Sequence, residues 1–154
     1  MSSEAMMWWY MFGPKRIALS GGFDPIHSGH IRMIQEASQF GDVIIILNSD
    51  EWLMRKKGYI FMTWRERAEI LSSIKGVKRV IPVDDLDNTV CKALEELQPD
   101  YFGNGGDRTD KNTPEKEVCE RLEIEMIWNL GGGKIQSSSD LVRHVKNEPN
   151  RPRH

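Results

Sequence analysis

The sequence predicts an α/β fold: a Rossmann-like, doubly wound, five-stranded parallel sheet in a single domain. Three observations predict it. Short apolar runs bounded by turn residues alternate with segments of helical spacing. The run Val43 to Leu47 is continuous rather than alternating, as in a strand covered on both faces. Every cluster of Gly, His, Lys, Asn or Ser that carries candidate chemistry follows such a run, and ligands of these sheets bind outside the strands' carboxyl ends, at the topological switch point.

Residues 1–14 form an apolar N-terminal extension. Met6, Met7, Trp8, Trp9, Tyr10, Met11 and Phe12 are its core, too short to span a bilayer and without the basic start of a signal peptide. The extension is expected to cover a sheet edge or a dimer partner; a loose tail and membrane contact are the competing readings. Ile17, Ala18 and Leu19 then read as the first strand, and the paired Gly21 and Gly22 allow a sharp turn and a close approach to a ligand. Ile31, Ile34, Ala37 and Phe40 recur at helical spacing, with Ser28 as candidate cap and Gly41 as stop. His27 and His30 therefore fall at or just inside a helix N-terminus, which attracts phosphate, and two imidazoles on one turn add donors. The alternatives are a structural Gly-Gly turn with surface histidines, or a zinc site; neither Cys nor a third His lies nearby for the latter.

Val43 to Leu47 is the second strand, and the stretch from Asn48 to Gly58 is a short helix or loop at the sheet's carboxyl edge. Thr63 caps the next helix, with Glu66 as its capping-box partner and Ala68, Ile70, Leu71 and Ile74 as its apolar positions. Val77, Val80, Ile81 and Val83 make the third strand. A helix capped by Asp87 or Asn88 runs to Leu97, ahead of Pro99. Asp100 to Gly103 is the fourth strand, Pro114 opens a helix through Val118 and Leu122, and Ile124 to Trp128 is the fifth strand. The last helix starts near Ser137 and carries Leu141, Val142 and Val145; residues 147–154 are a frayed tail.

At 154 residues the chain is large enough for one core without staples. Charged residues are 29% and the net charge is -2, so the whole chain is not a polyanion binder: no nucleic acid is expected, and any phosphate site is local. Cys91 and Cys119 lie outside any CxxC and read as free thiols of a reducing cytoplasm. Neither a Walker A nor a GxGxxG pattern occurs.

Phe23-Asp24-Pro25-Ile26-His27-Ser28-Gly29-His30 resembles the HxGH signature of the nucleotidylyltransferase superfamily, the cytidylyltransferase-like enzymes. Within it the likeness is to the adenylyltransferase domain of ADP-heptose synthase, over most of residues 15 to 145, with glycerol-3-phosphate cytidylyltransferase next. The resemblance makes residues 15–146 a nucleotidylyltransferase domain. It implies transfer of a nucleoside monophosphate from ATP or CTP to a phosphorylated sugar or polyol, release of pyrophosphate, Mg2+ carried with the triphosphate, and a cytoplasmic homodimer without membrane contact. His27 and His30 are then the pair that contacts the triphosphate. Gly22, Phe23, Asp24 and Gly29 line the nucleotide pocket, and no residue is a dedicated metal ligand.

By the same resemblance Lys57, or its neighbour Lys56, and Arg67, or else Arg65, contact phosphates; a solvated basic loop and a surface salt bridge are the plainer readings. Asn104-Gly105-Gly106-Asp107 is similar to the Lys-Gly-Gly-Asp of the heptose-phosphate enzymes that meets base and ribose, with Asn in place of the lysine. Ser137, Ser138 and Ser139 match the hydroxyl-rich start of the family's last helix. The glycerol-3-phosphate enzymes have an arginine ahead of those serines that this chain lacks, and Arg143 falls one residue late for the nicotinate-mononucleotide enzymes. Both departures favour the heptose type. A nucleotide-binding module without turnover is the alternative from another class.

Overall fold

A computed structural model describes residues 2–106, 108–109, 113–132 and 142. Its strands are β1 (Arg16–Gly21), β2 (Asp42–Leu47), β3 (Val77–Ile81), β4 (Tyr101–Gly105) and β5 (Glu125–Leu130). Its helices are α1 (Ser3–Phe12), α2 (Ser28–Ala37), α3 (Asp50–Lys57), α4 (Trp64–Ser72), α5 (Cys91–Leu97) and α6 (Lys116–Arg121). The strands pair in parallel in the order β3-β2-β1-β4-β5. The chain thus works outward from β1 to β3 and then crosses back to β4, which puts the switch point between β1 and β4.

Alternation along each strand feeds two cores, one on each face of the sheet. Ile17, Leu19, Val43, Ile45 and Leu47 pack with Ile34 and Ala37 of α2 and Leu71 of α4. Ala18, Ile46 and Phe102 face the other way, against Ala93 and Leu94 of α5 and Cys119 of α6. This two-sided burial makes the β2 sequence uniformly apolar. Both cysteines are free thiols, and burial pushes that of Cys119 up to about 12, so it stays protonated.

Several boundaries move. α2 ends at Ala37, with Ser38 as its C-cap, so Phe40 is beyond the helix and meets the Tyr101 ring edge-on at 5.4 Å. Asp87 does not cap α5: its Oδ1 accepts the Thr89 N–H and hydroxyl, Asn88 turns the chain at φ 63°, and α5 begins at Cys91. The extension is a helix, α1, but it does not cover a sheet edge. Met6, Met7, Trp8, Trp9, Met11 and Phe12 each remain 56–65% exposed. No helix among the described residues is long and apolar enough to cross a membrane.

Candidate active site

The chain leaves β1 through Gly22, Phe23, Asp24, Pro25 and Ile26 and enters α2 at His27. His27, not Ser28, is the N-cap: its extended backbone turns the imidazole back so that Nδ1 accepts the Gly29 N–H at 3.1 Å. His30, at N3, returns the favour, its Nδ1 accepting the His27 N–H at 3.1 Å. The two rings stack with centroids 3.9 Å apart. This is a capping box built from two histidines in place of a hydroxyl and a carboxylate. It also explains Gly29, because a Cβ there would sit 2.9 Å from His27 Cε1.

The box fixes the chemistry of both rings. An Nδ1 that accepts a backbone N–H carries no proton, so each neutral imidazole holds its proton on Nε2 and is a donor there. Burial, then the neighbouring His27 and Lys57, push the His30 pKa down to about 3. His30 is therefore an uncharged donor at neutral pH. The sign for stability follows: the unfolded chain takes up a proton near pH 6.5 that the fold refuses, so the contribution is complete above that pH and declines as pH falls toward 3. Urea midpoints are expected to drop between pH 7 and pH 4 in the wild type and to drop less in His30→Asn; parallel profiles would remove His30 as the cause.

The glycines of the turn act differently from the sequence expectation. Neither Gly21 nor Gly22 takes a positive φ; the left-handed residue is Phe23, at φ 50° and 3% exposed, its ring 4.8 Å from that of His30. A non-glycine held there is strained, and such strain gathers at functional sites. Gly22 is needed for closeness: a Cβ would meet Leu53 Cδ2 at 2.8 Å and Trp52 Cζ3 at 3.2 Å, so α3 rests directly on the loop.

Asp24 and Arg67 hold this loop from beneath. Asp24 is fully buried, and its two carboxylate oxygens accept the Phe61 and Met62 N–H groups, each at 2.7 Å. Arg67 is also fully buried. Its Nε donates to Met62 O at 3.0 Å, Nη1 to Gly22 O at 2.8 Å and Asn48 O at 2.9 Å, and Nη2 to Asp50 at 2.6 Å. Arg67, expected to meet a phosphate or to form a surface ion pair, is here a buried side chain whose guanidinium is engaged by the backbone of three segments and by Asp50. Asp24 likewise has no carboxylate oxygen aimed at a ligand. Lys57 is different. At the end of α3 it is half-buried, its Nζ donates to Asp24 O at 3.2 Å, and burial holds the ammonium below the usual lysine range. Arg65 is exposed on α4, and Lys56 is exposed with its Nζ 5.3 Å from the Trp52 ring.

Across the switch point, β4 ends in Asn104 and Gly105 with Gly106 beyond. Asn104 is buried and points into the sheet, its amide donating to Phe102 O and Ile127 O, so it ties β4 to β5. Gly106 lies so close to the β5 loop that a Cβ would meet Gly132 O at 2.8 Å. Asp107, Ser137, Ser138 and Ser139 lie outside the described residues.

Sequence reasoning missed one residue of this edge. Asp85 is 4% exposed and accepts from Asn48 Nδ2, Ser49 N and Ser49 Oγ at 2.7–3.0 Å, while Arg55 donates to its carbonyl at 2.7 Å. It pins Ser49, the N-cap of α3, and so the helix that carries Lys57. Its place in the acidic run Asp84-Asp85-Leu86-Asp87 gave no sign of this. No group of three or more His, Cys, Asp or Glu side chains able to hold a metal occurs among the described residues. The donors that converge at the loop are imidazoles and an ammonium, which suit phosphate oxygens rather than a cation.

The cytidylyltransferase-like family model matches residues 18–144. The bifunctional protein HldE of Geotalea uraniireducens is 31% identical over 139 residues, and that of Geobacter metallireducens is 34% identical over 141 residues. These alignments take in 87–88% of this chain but only 27–28% of those proteins, so the chain spans about a quarter of their length. The crystal structure of the lipopolysaccharide core biosynthesis protein from Thermoplasma volcanium superposes with a TM-score of 0.63 at 25% identity, over 76% of this chain and 97% of that one. With the parallel sheet and the two-histidine turn at its centre, these matches make the chain a member of the cytidylyltransferase-like family and a nucleotidyltransferase.

Proposed function

We propose that the chain moves an adenylyl group from ATP to a phosphorylated sugar of the heptose type and releases pyrophosphate. The observation that carries this reading is the reciprocal capping of His27 and His30, which keeps the proton of the neutral His30 ring on Nε2, beside His27 and the Lys57 ammonium at the end of the central strand. An oxygen of the acceptor's phosphate attacks the α-phosphorus. The bond from that phosphorus to the bridging oxygen breaks, and pyrophosphate leaves with the electron pair. A phosphate monoester has its second pKa near 6, so the nucleophile is already largely a dianion at neutral pH and needs no base. Fixed donors that meet the charge growing on the departing oxygens are what the reaction requires.

Mg2+ would arrive as part of the triphosphate substrate and would offset its charge, with no described residue of the chain assigned to hold it. Asp107 and Ser137 to Ser139 are assigned to the nucleotide by the likeness already described. ATP and a sugar acceptor are supported by similarity to the HldE proteins and to a lipopolysaccharide core biosynthesis protein. The test is pyrophosphate release with each of ATP, CTP, GTP and UTP against sugar 1-phosphates and glycerol 3-phosphate. Turnover is expected with ATP and a sugar 1-phosphate. Preference for CTP with glycerol 3-phosphate would replace the adenylyl reading by a cytidylyl one, and no release with any pair would refute both.

A further inference from the structure

We propose that Trp52 is the wall of the acceptor subsite, its indole face selecting phosphorylated acceptors with an apolar ring face, such as the C–H face of a pyranose; this rests on the transfer reaction proposed above. Four aromatic residues gather near the mouth, and the structure sorts them. Trp64 belongs to the core side, its Nε1–H donating to Leu47 O at 3.1 Å. Phe61 is 61% exposed on a segment whose amide is held by Asp24. Tyr59 is half-buried. Trp52 lies with its ring edge against the loop that carries the histidines, where a Cβ on Gly22 would meet its Cζ3 at 3.2 Å.

The backbone that carries the indole is also firmly placed. The helix turn beneath it is braced: the Trp52 main-chain N–H donates to Ser49 Oγ at 3.0 Å, Ser49 is pinned by Asp85, and the adjoining Leu53 is fully buried. A site on a braced helix is better defined than one on a loop. One turn on, Lys56 stands with Nζ 5.3 Å from the ring centroid. An exposed cation–π contact of this kind is weak, so the ammonium can turn to an anionic oxygen and leave the indole face to a ring.

Topology gives the side. Asn104, Gly105 and Gly106, assigned to the nucleotide, end β4 or follow it on one flank of β1, whereas α3 follows β2 on the other. An acceptor must reach the α-phosphate from ground the nucleoside does not occupy, and that is the α3 flank.

Steady-state kinetics with mannose 1-phosphate test this. Trp52→Ala is expected to raise the KM for mannose 1-phosphate about 10-fold, leave the KM for ATP within about 2-fold, and shift glycerol 3-phosphate, which has no ring, much less. Trp52→Phe should keep most of the affinity. An unchanged sugar KM, or ATP and sugar KM rising together, overturns the assignment. A turnover-free arm separates the two proposals: with α,β-methylene-ATP present, mannose 1-phosphate should change the tryptophan emission of the wild type and change that of Trp52→Phe less. Equal responses, or none in the wild type, overturn the role of Trp52. A Trp52-dependent response without any pyrophosphate release would refute the reaction and leave the subsite standing.

Discussion

His30→Ala is expected to lower kcat by about 10²–10³-fold, the loss that follows when one preorganised donor is taken from a site of developing charge, or about 2.7–4 kcal/mol of barrier. The substitution removes two things: the Nε2–H donor and the Nδ1 acceptor that closes the capping box with the His27 N–H at 3.1 Å. His30→Asn separates them, because the amide oxygen of asparagine can stand where Nδ1 stands while nothing replaces Nε2–H. It should keep a urea midpoint near that of the wild type and still lose the rate. If His30→Asn retained wild-type kcat, the ring would be a cap and nothing more. The same logic applies to His27, where asparagine is itself a good N-cap. Because His30 is held neutral, its protonation does not set the acid limb of activity. The fall in rate below about pH 6 should follow the acceptor's own second ionisation, and should move with an acceptor of lower pKa.

Much of this was readable in residue order. Strands buried on two faces must be apolar throughout, so β2 announced itself, and the turn after β1 stood out because glycine, proline and two histidines fall together. Which atoms those residues spend on one another was not readable. Asp24 is charged and near the histidines in sequence, yet both oxygens are taken by amides of Phe61 and Met62, 37 and 38 positions away. Gly22 suggested an unusual backbone angle, but the angle fell on Phe23 and the glycine serves the approach of α3. Asp85 and Ser49 meet only because β2 and β3 are neighbours. In each case the deciding partner comes from a different strand's loop, and local pattern holds no record of it. The extension is a different case: its composition asks for cover without saying from what, and within the single chain α1 stands exposed.

Arg67 is the sharpest case and leads to the second large expected effect. By type it belongs on a surface or on a phosphate. It is instead fully buried, with its fork spread over Gly22 O, Asn48 O and Met62 O and one arm on Asp50. These groups end β1, end β2 and precede α4, so a single side chain joins the three segments that shape the site. Arg67→Ala would leave those carbonyls without their donor and open a cavity, at a cost of about 3–5 kcal/mol, a large part of the roughly 5–15 kcal/mol that stabilises a domain. The urea midpoint should fall accordingly. Arg67→Lys keeps the charge but not the planar fork, so it should recover less than half of the loss. A phosphate-binding arginine would behave otherwise: the alanine variant would unfold near the wild-type midpoint and lose triphosphate affinity alone. That outcome would place the guanidinium back in the mouth, whereas a lower midpoint, with KM and kcat of the surviving folded fraction changing together, is the signature of a brace.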